Sequence, residues 1–187
     1  MKEISGKEDF SSNYDTKIYI AQTLENISQQ SSALSKLVHP SVKYPATNHP
    51  TFLLIYKSRT GPDFKGTICL KEIENESIVN NSKKSVSSLL MFNEDQFLHI
   101  LEGEPFELVS LYQNILQDTR NKDNKLLWFI ENNDRIFSDW SMQTSRMSRE
   151  IFLHCDKILS TTKKHDYKFL INSIDWIAKL ASEYPSF

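Results

Sequence analysis

The chain has 187 residues and a formal net charge of −2, with 39% apolar and 25% charged residues. That is enough apolar material for one domain with an extension, and too little positive charge to point to a nucleic-acid partner. Only 4 glycines occur, with no Gly-x-Gly-x-x-Gly or Walker pattern, which argues against the folds that cradle phosphates in glycine-rich loops.

Residues 1–15 are polar and lack a period, so they read as an arm. Met1-Lys2-Glu3-Ile4-Ser5-Gly6 has no apolar signal-peptide core, and no apolar run approaches the ~18 residues of a membrane helix. A cytoplasmic or cytoskeletal protein with no membrane partner is expected. From Asp15 to Val38, Ile20, Leu24, Ile27, Leu34 and Leu37 recur at helical spacings, with Asp15 as the cap. Pro40, Pro45 and Pro50 then punctuate an extended connector. His39 and His49 beside them read as loop residues, not ligands. Residues 1–50 are therefore an added segment on a domain of residues 51–187.

Phe52 to Tyr56 is a continuous apolar run, as in a buried central strand. Gly61-Pro62-Asp63 is a turn. Ile68, Leu70, Ile73, Ile78 and Val79 predict an amphipathic helix ending near Asn80-Asn81, where an asparagine can serve as a C-cap. Ser85–Phe92 and Gln96–Glu102 predict two antiparallel strands joined at Asn93-Glu94-Asp95. In the second, Phe97, His99 and Leu101 share one face, and Leu98, Ile100 and Glu102 the other. His99 thus lies between two large apolar side chains. Buried there, it must find hydrogen-bond partners or cost roughly 1–3 kcal/mol. Glu102, before Gly103, reads as solvated or as resting near a helix start.

After Pro105, a helix is expected with Phe106, Val109, Tyr112, Ile115 and Leu116 buried. Lys125–Glu131 predicts a strand, with Leu127 and Phe129 facing one way and Leu126, Trp128 and Ile130 the other. Arg135–Met142 predicts the following edge strand. Two helices close the chain, over about 148–159 and 166–184. The last carries Leu170, Ile174, Ile177, Ala181 and Tyr184 on one side, with Phe169, Trp176 and Leu180 beside them. This order gives an α+β layer fold of ferredoxin-like type.

Little here suggests an enzyme. Cys69 and Cys155 lie far apart without metal-ligand spacing and read as free thiols. No His-x-x-x-His, paired acidic motif or Gly-x-Ser-x-Gly occurs. His154-Cys155-Asp156 are neighbours on a helix, so they face different directions.

Four segments stand in register: Leu53-Leu54-Ile55-Tyr56-Lys57-Ser58; Asn80 through Phe92; Phe97-Leu98-His99-Ile100-Leu101-Glu102-Gly103; and Arg135 through Met142. Together, from about Phe52 to Met142, they resemble the BLUF family, the flavin-binding sensors of blue light. The resemblance implies a ferredoxin-like β-α-β-β-α-β-β fold followed by two helices, with a flavin ring between the first two helices over one sheet face. It implies that Tyr56 is the tyrosine that bonds a glutamine on the third strand. It makes Asn81, preceded by Asn80, the asparagine at the flavin's polar edge, and Trp140 and Met142 the relay pair. Lys83 stands where the family usually has an arginine, and Ser87-Ser88 where it often has threonine and glycine. The glutamine's place is taken by His99.

That replacement changes the chemistry. A glutamine carries an acceptor and a donor on one carbon and can exchange them by rotation. Imidazole has one donor and one acceptor on opposite sides of a rigid ring, so it can bond Tyr56 but cannot make that exchange. Two functions follow. In the first, the domain is a non-photoactive interaction module that holds no cofactor. Residues 1–50 would dock other proteins of an assembly, a ciliary axoneme being one setting. Tyr56 and His99 would be a core pair, Asn80-Asn81 a helix end and Trp140 an anchor. In the alternative, it is an FAD-binding blue-light receptor with altered photochemistry, its site formed by Tyr56, Asn80, Asn81, Lys83, His99, Trp140 and Met142.

Overall fold

A computed structural model describes residues 51–132, 134–137, 141–163 and 165–184. The arm, helix and connector expected over residues 1–50 lie outside these, as does Trp140. The elements are β1 (Thr51–Thr60), α1 (Thr67–Lys83), β2 (Ser87–Asn93), β3 (Gln96–Gly103), α2 (Pro105–Ile115), β4 (Asn121–Asn132), β5 (Gln143–Arg146), α3 (Arg149–Thr161) and α4 (Tyr167–Glu183). The sheet order is β4-β1-β3-β2-β5. All pairings are antiparallel except β2 with β5. This is the expected α+β, ferredoxin-like arrangement.

Strand alternation splits the core into two sides. Leu53 and Ile55 of β1 join Leu98 and Ile100 of β3 and pack on Phe152, Leu159, Leu170, Ile174 and Ile177 of α3 and α4. Leu54, Tyr56 and Leu101 face the other way, onto Leu108, Val109 and Tyr112 of α2. On that same side Leu90, Phe92 and Phe97 meet Leu70 of α1 and Met142. The sheet is thus sandwiched between α1/α2 and α3/α4, and His99 faces α1/α2.

Several expectations are corrected. In α1 only Cys69, Leu70 and Asn81 are buried, while Ile68, Ile78 and Val79 are exposed. The helix touches the sheet side near its ends and spans a cleft between them. It also continues past Asn81 to Lys83, and the left-handed residue that turns the chain is Ser85, at φ 51°. In α2, Phe106 is exposed and Leu108 is buried in its stead, because Pro105 starts the helix with Glu104 as its cap. In β4 the alternation breaks. Ile55 pairs with Trp128 and Tyr56 with Leu126, so Leu127 is a bulge residue. Leu126 and Phe129 consequently face α2, and Leu127, Trp128 and Ile130 face α3/α4.

The edge strand expected over Arg135–Met142 is instead β5, Gln143–Arg146. Two causes combine. First, β4 and β5 lie at opposite edges of a five-stranded sheet, about 19 Å apart at ~4.8 Å per strand, so the linking residues must cross it. Second, the backbone donors there are bound elsewhere. Glu102, 0% exposed, accepts from the N–H of Ile136 at 2.8 Å and of Phe137 at 2.9 Å. Glu102 is therefore neither solvated nor at a helix start. It clamps the crossing.

Candidate functional site

A cleft of about 240 Å³ lies between α1 and α2 above the sheet. Its floor is Tyr56 and Ser58 of β1 with Phe97, His99 and Leu101 of β3. Its walls include Ile73, Ser77, Asn80 and Asn81 of α1, and Leu111 and Asn114 of α2. Asp118, Arg120, Asn121 and Glu76 stand at its rim, and Leu90 and Ile115 complete the lining.

The register of β1 and β3 sets Tyr56 directly opposite His99. The Tyr56 hydroxyl lies 2.8 Å from His99 Nδ1, with the residues only 4% and 5% exposed. Burial drives the histidine pKa down from 6.5 to about 3. Burial, with smaller contributions from Tyr112 and Asp118, raises the tyrosine well above its usual value. Both are neutral at physiological pH. Bond counting then sets the tautomer. If Nδ1 carried the proton, both the phenol hydrogen and Nε2 would lack partners. If Tyr56 donates to Nδ1, only the Nε2–H remains unmatched, and this arrangement is the better satisfied.

Among the described residues, His99 Nε2, Ser58 Oγ, Tyr112 Oη, Asn121 Oδ1 and Asn124 Oδ1 are buried side-chain atoms without a hydrogen-bond partner. Three of them, on His99, Ser58 and Asn121, belong to residues lining the cleft. Each unmet group costs about 1–3 kcal/mol, so their convergence on one cavity is a ligand-site signature.

Asn81 is 2% exposed. Its amide nitrogen donates to Ser88 Oγ at 3.1 Å and to the Ser141 carbonyl at 2.9 Å. Ser88 Oγ in turn lies 2.7 Å from Met142 Sδ, and Met142 is buried. The structure thus brings Tyr56, His99, Asn80 and Asn81 to the cleft, with Met142 behind Asn81 and Ser88. Lys83 does not join them. It is exposed in the last turn of α1 and does not line the cleft.

Sequence reasoning missed the group at the rim. The Arg120 guanidinium reaches Asp118 Oδ2 at 2.7 Å and Glu76 Oε2 at 3.1 Å, linking the turn after α2 to α1. Burial pushes the Asp118 pKa up, but hydrogen bonds from Arg120 outweigh it and hold the carboxyl below its ordinary value. The only signal was an acid and a base two residues apart just after a helix. Ser58 and Asn121 gave none, because an unpaired atom is visible only in the fold.

A helix-walled cleft over a mixed sheet, floored by a buried tyrosine–imidazole pair, defines a small α+β domain with one candidate ligand pocket on this side of the sheet. Residues 51–143 match the family described as BLUF, sensors of blue-light using FAD, and through this domain the chain belongs to the BLUF family. BlrB, a BLUF protein in its dark state, is 22% identical with a TM-score of 0.57, covering 69% of this chain and 98% of its own. The photo-activated state of BlsA is 22% identical at 0.56, covering 67% and 94%. Klebsiella pneumoniae BlrP1 in a manganese and cyclic-diGMP complex is 27% identical at 0.51, covering 68% of this chain and 33% of its own. No curated protein matches by sequence. No described helix is long and apolar enough to cross a membrane.

Proposed function

We propose that this BLUF domain holds a flavin in its cleft but does not run the amide exchange that would make it a light switch. One observation carries the reading: the cleft gathers buried, unmatched polar atoms on His99, Ser58 and Asn121. The cofactor-free interaction module leaves those atoms unmatched, whereas a planar heteroaromatic ring with alternating donors and acceptors can meet them. They therefore fit a flavin, the group that gives the family its description. When bound, a flavin supplies blue-light absorption and an electron acceptor.

The chain's own residues do the rest. The His99 Nε2–H would donate to an acceptor on the ring. Asn121 Oδ1 would accept from a ring N–H, and Ser58 Oγ can do either. Ile73 and Leu111 would cover the apolar faces. Asn81 has both amide hydrogens bonded within the protein, to Ser88 and Ser141, so only its carbonyl oxygen is left for a ligand. The missing function is exchange. Tyr56 fixes Nδ1, and turning the imidazole over would set carbon atoms where nitrogens now bond. The hydrogen-bond pattern around the ring therefore stays the same in darkness and in light.

Titration of the purified full chain with FAD, followed by quenching of flavin fluorescence, tests the retention of a ligand. Saturable binding is expected, weakened about tenfold in His99→Leu by the loss of ~1.4 kcal/mol. Quenching that never saturates would reject it.

A further inference from the structure

The charge around the cleft is confined to its rim. Of the residues that line it, only Glu76, Asp118 and Arg120 are charged, because burial keeps His99 neutral. The guanidinium is already held by both carboxylates. Arg120 Nε donates to Asp118 Oδ2 at 3.0 Å, and Nη2 donates to Asp118 Oδ2 at 2.7 Å and to Glu76 Oε2 at 3.1 Å. One cation against two anions leaves the rim net negative. Where the chain leaves α1, Lys84 is likewise bound, by Glu107 of α2 at 2.7 Å. Both cations that tie the two helices together are thus committed to carboxylates.

The cleft, at about 240 Å³, is smaller than the ~300–1,000 Å³ of pockets that enclose a drug-sized ligand. It has room for a ring system but not for a nucleotide tail as well, so a tail would lie outside, along the rim. We infer that this rim selects a flavin with an uncharged tail over one that carries phosphate. The inference rests on the reading of the cleft as a flavin site and adds which flavin it prefers. A phosphate at the rim meets net negative charge. It reaches Arg120 only by displacing a carboxylate that already holds the guanidinium in a charge-assisted bond. The neutral side chains at the mouth, Ser77, Asn80 and Asn114, suit the hydroxyls of a sugar-alcohol chain, which need donors and acceptors but no charge.

Riboflavin and FMN share the ring and the ribityl chain and differ by one phosphate, so their affinities for the full chain isolate this effect. In a fluorescence titration at low ionic strength, FMN should bind about threefold more weakly than riboflavin. The gap should close as salt shortens the screening length from about 30 Å at 0.01 M to about 8 Å at 0.15 M. The Glu76 side chain is 59% exposed, and Glu76→Gln removes one carboxylate from the rim. It should tighten FMN about threefold at low salt. Riboflavin binding should not change, which also reports that the variant is folded. FMN binding as tightly as riboflavin at low salt, or more tightly, would overturn the inference and leave the flavin reading standing. So would a gap that Glu76→Gln does not alter. If neither flavin saturates the chain, both fall together.

Discussion

His99 is neutral because water cannot reach it. Its pKa of about 3, against 6.5 for a free imidazole, makes folding sensitive to acid. Between those values the unfolded chain binds a proton that the folded chain does not, so stability rises with pH there. The contribution is fully present above about pH 6.5 and is lost as pH falls toward 3, at up to ~1.4 kcal/mol per pH unit. Urea unfolding from pH 4.5 to 7 should therefore show a slope about one proton shallower in His99→Gln than in the parent chain. Equal slopes would mean that the ring reaches solvent. Tyr56→Phe probes the same pair from the other side. It strands Nδ1 in a buried site and should cost about 1–2 kcal/mol in the same assay.

Among the elements, the crossing from β4 to β5 is the one whose placement rests most on a single side chain. Glu102 of β3 takes two backbone donors, from Ile136 and Phe137, and Asn132 Nδ2 approaches it at 3.4 Å. Arg135 adds contacts to Ser87 Oγ at 3.2 Å and to the Ser85 carbonyl. Glu102→Ala would bury unmatched N–H groups and should lower stability by about 3 kcal/mol, with faster amide exchange at positions 136 and 137. Loss under 1 kcal/mol would show that the clamp is not needed. This crossing also explains why one strand was misread. Arg135–Met142 has a strand's composition, but composition does not reveal that its donors go to a carboxylate far back in the sequence. The β4 bulge was hidden for a similar reason, since it is defined by the partner strand β1. By contrast, β1, β3 and α4 were legible because their burial follows a local period: a continuous run at 53–55, an alternation at 97–102 and a helical stripe at 170–181.

For the whole molecule, β5 is the joint between the cleft and the C-terminal helices. On one side Thr144 donates from its N–H and its hydroxyl to Glu74 of α1, at 3.1 and 2.9 Å. On the other, Gln143 Nε2 reaches the Ala181 carbonyl at 3.2 Å and Ser145 Oγ the Tyr184 carbonyl at 2.6 Å. These bonds tie the cleft's helix α1 through β5 to the end of α4, and under the proposed function it is the exchange at His99 that is missing, not this connection. Of the candidate site, Tyr56, His99 and Asn81 were readable because each sits in a motif with fixed spacing. Asp118, Arg120 and Asn121 were not, because a loop brings them to the rim only after α2 has packed. The most direct test is a light-minus-dark absorption spectrum of the full chain loaded with FAD and then freed of excess ligand. The account predicts a protein-bound flavin band that blue light leaves in place. A reversible red shift that decays in darkness would contradict it.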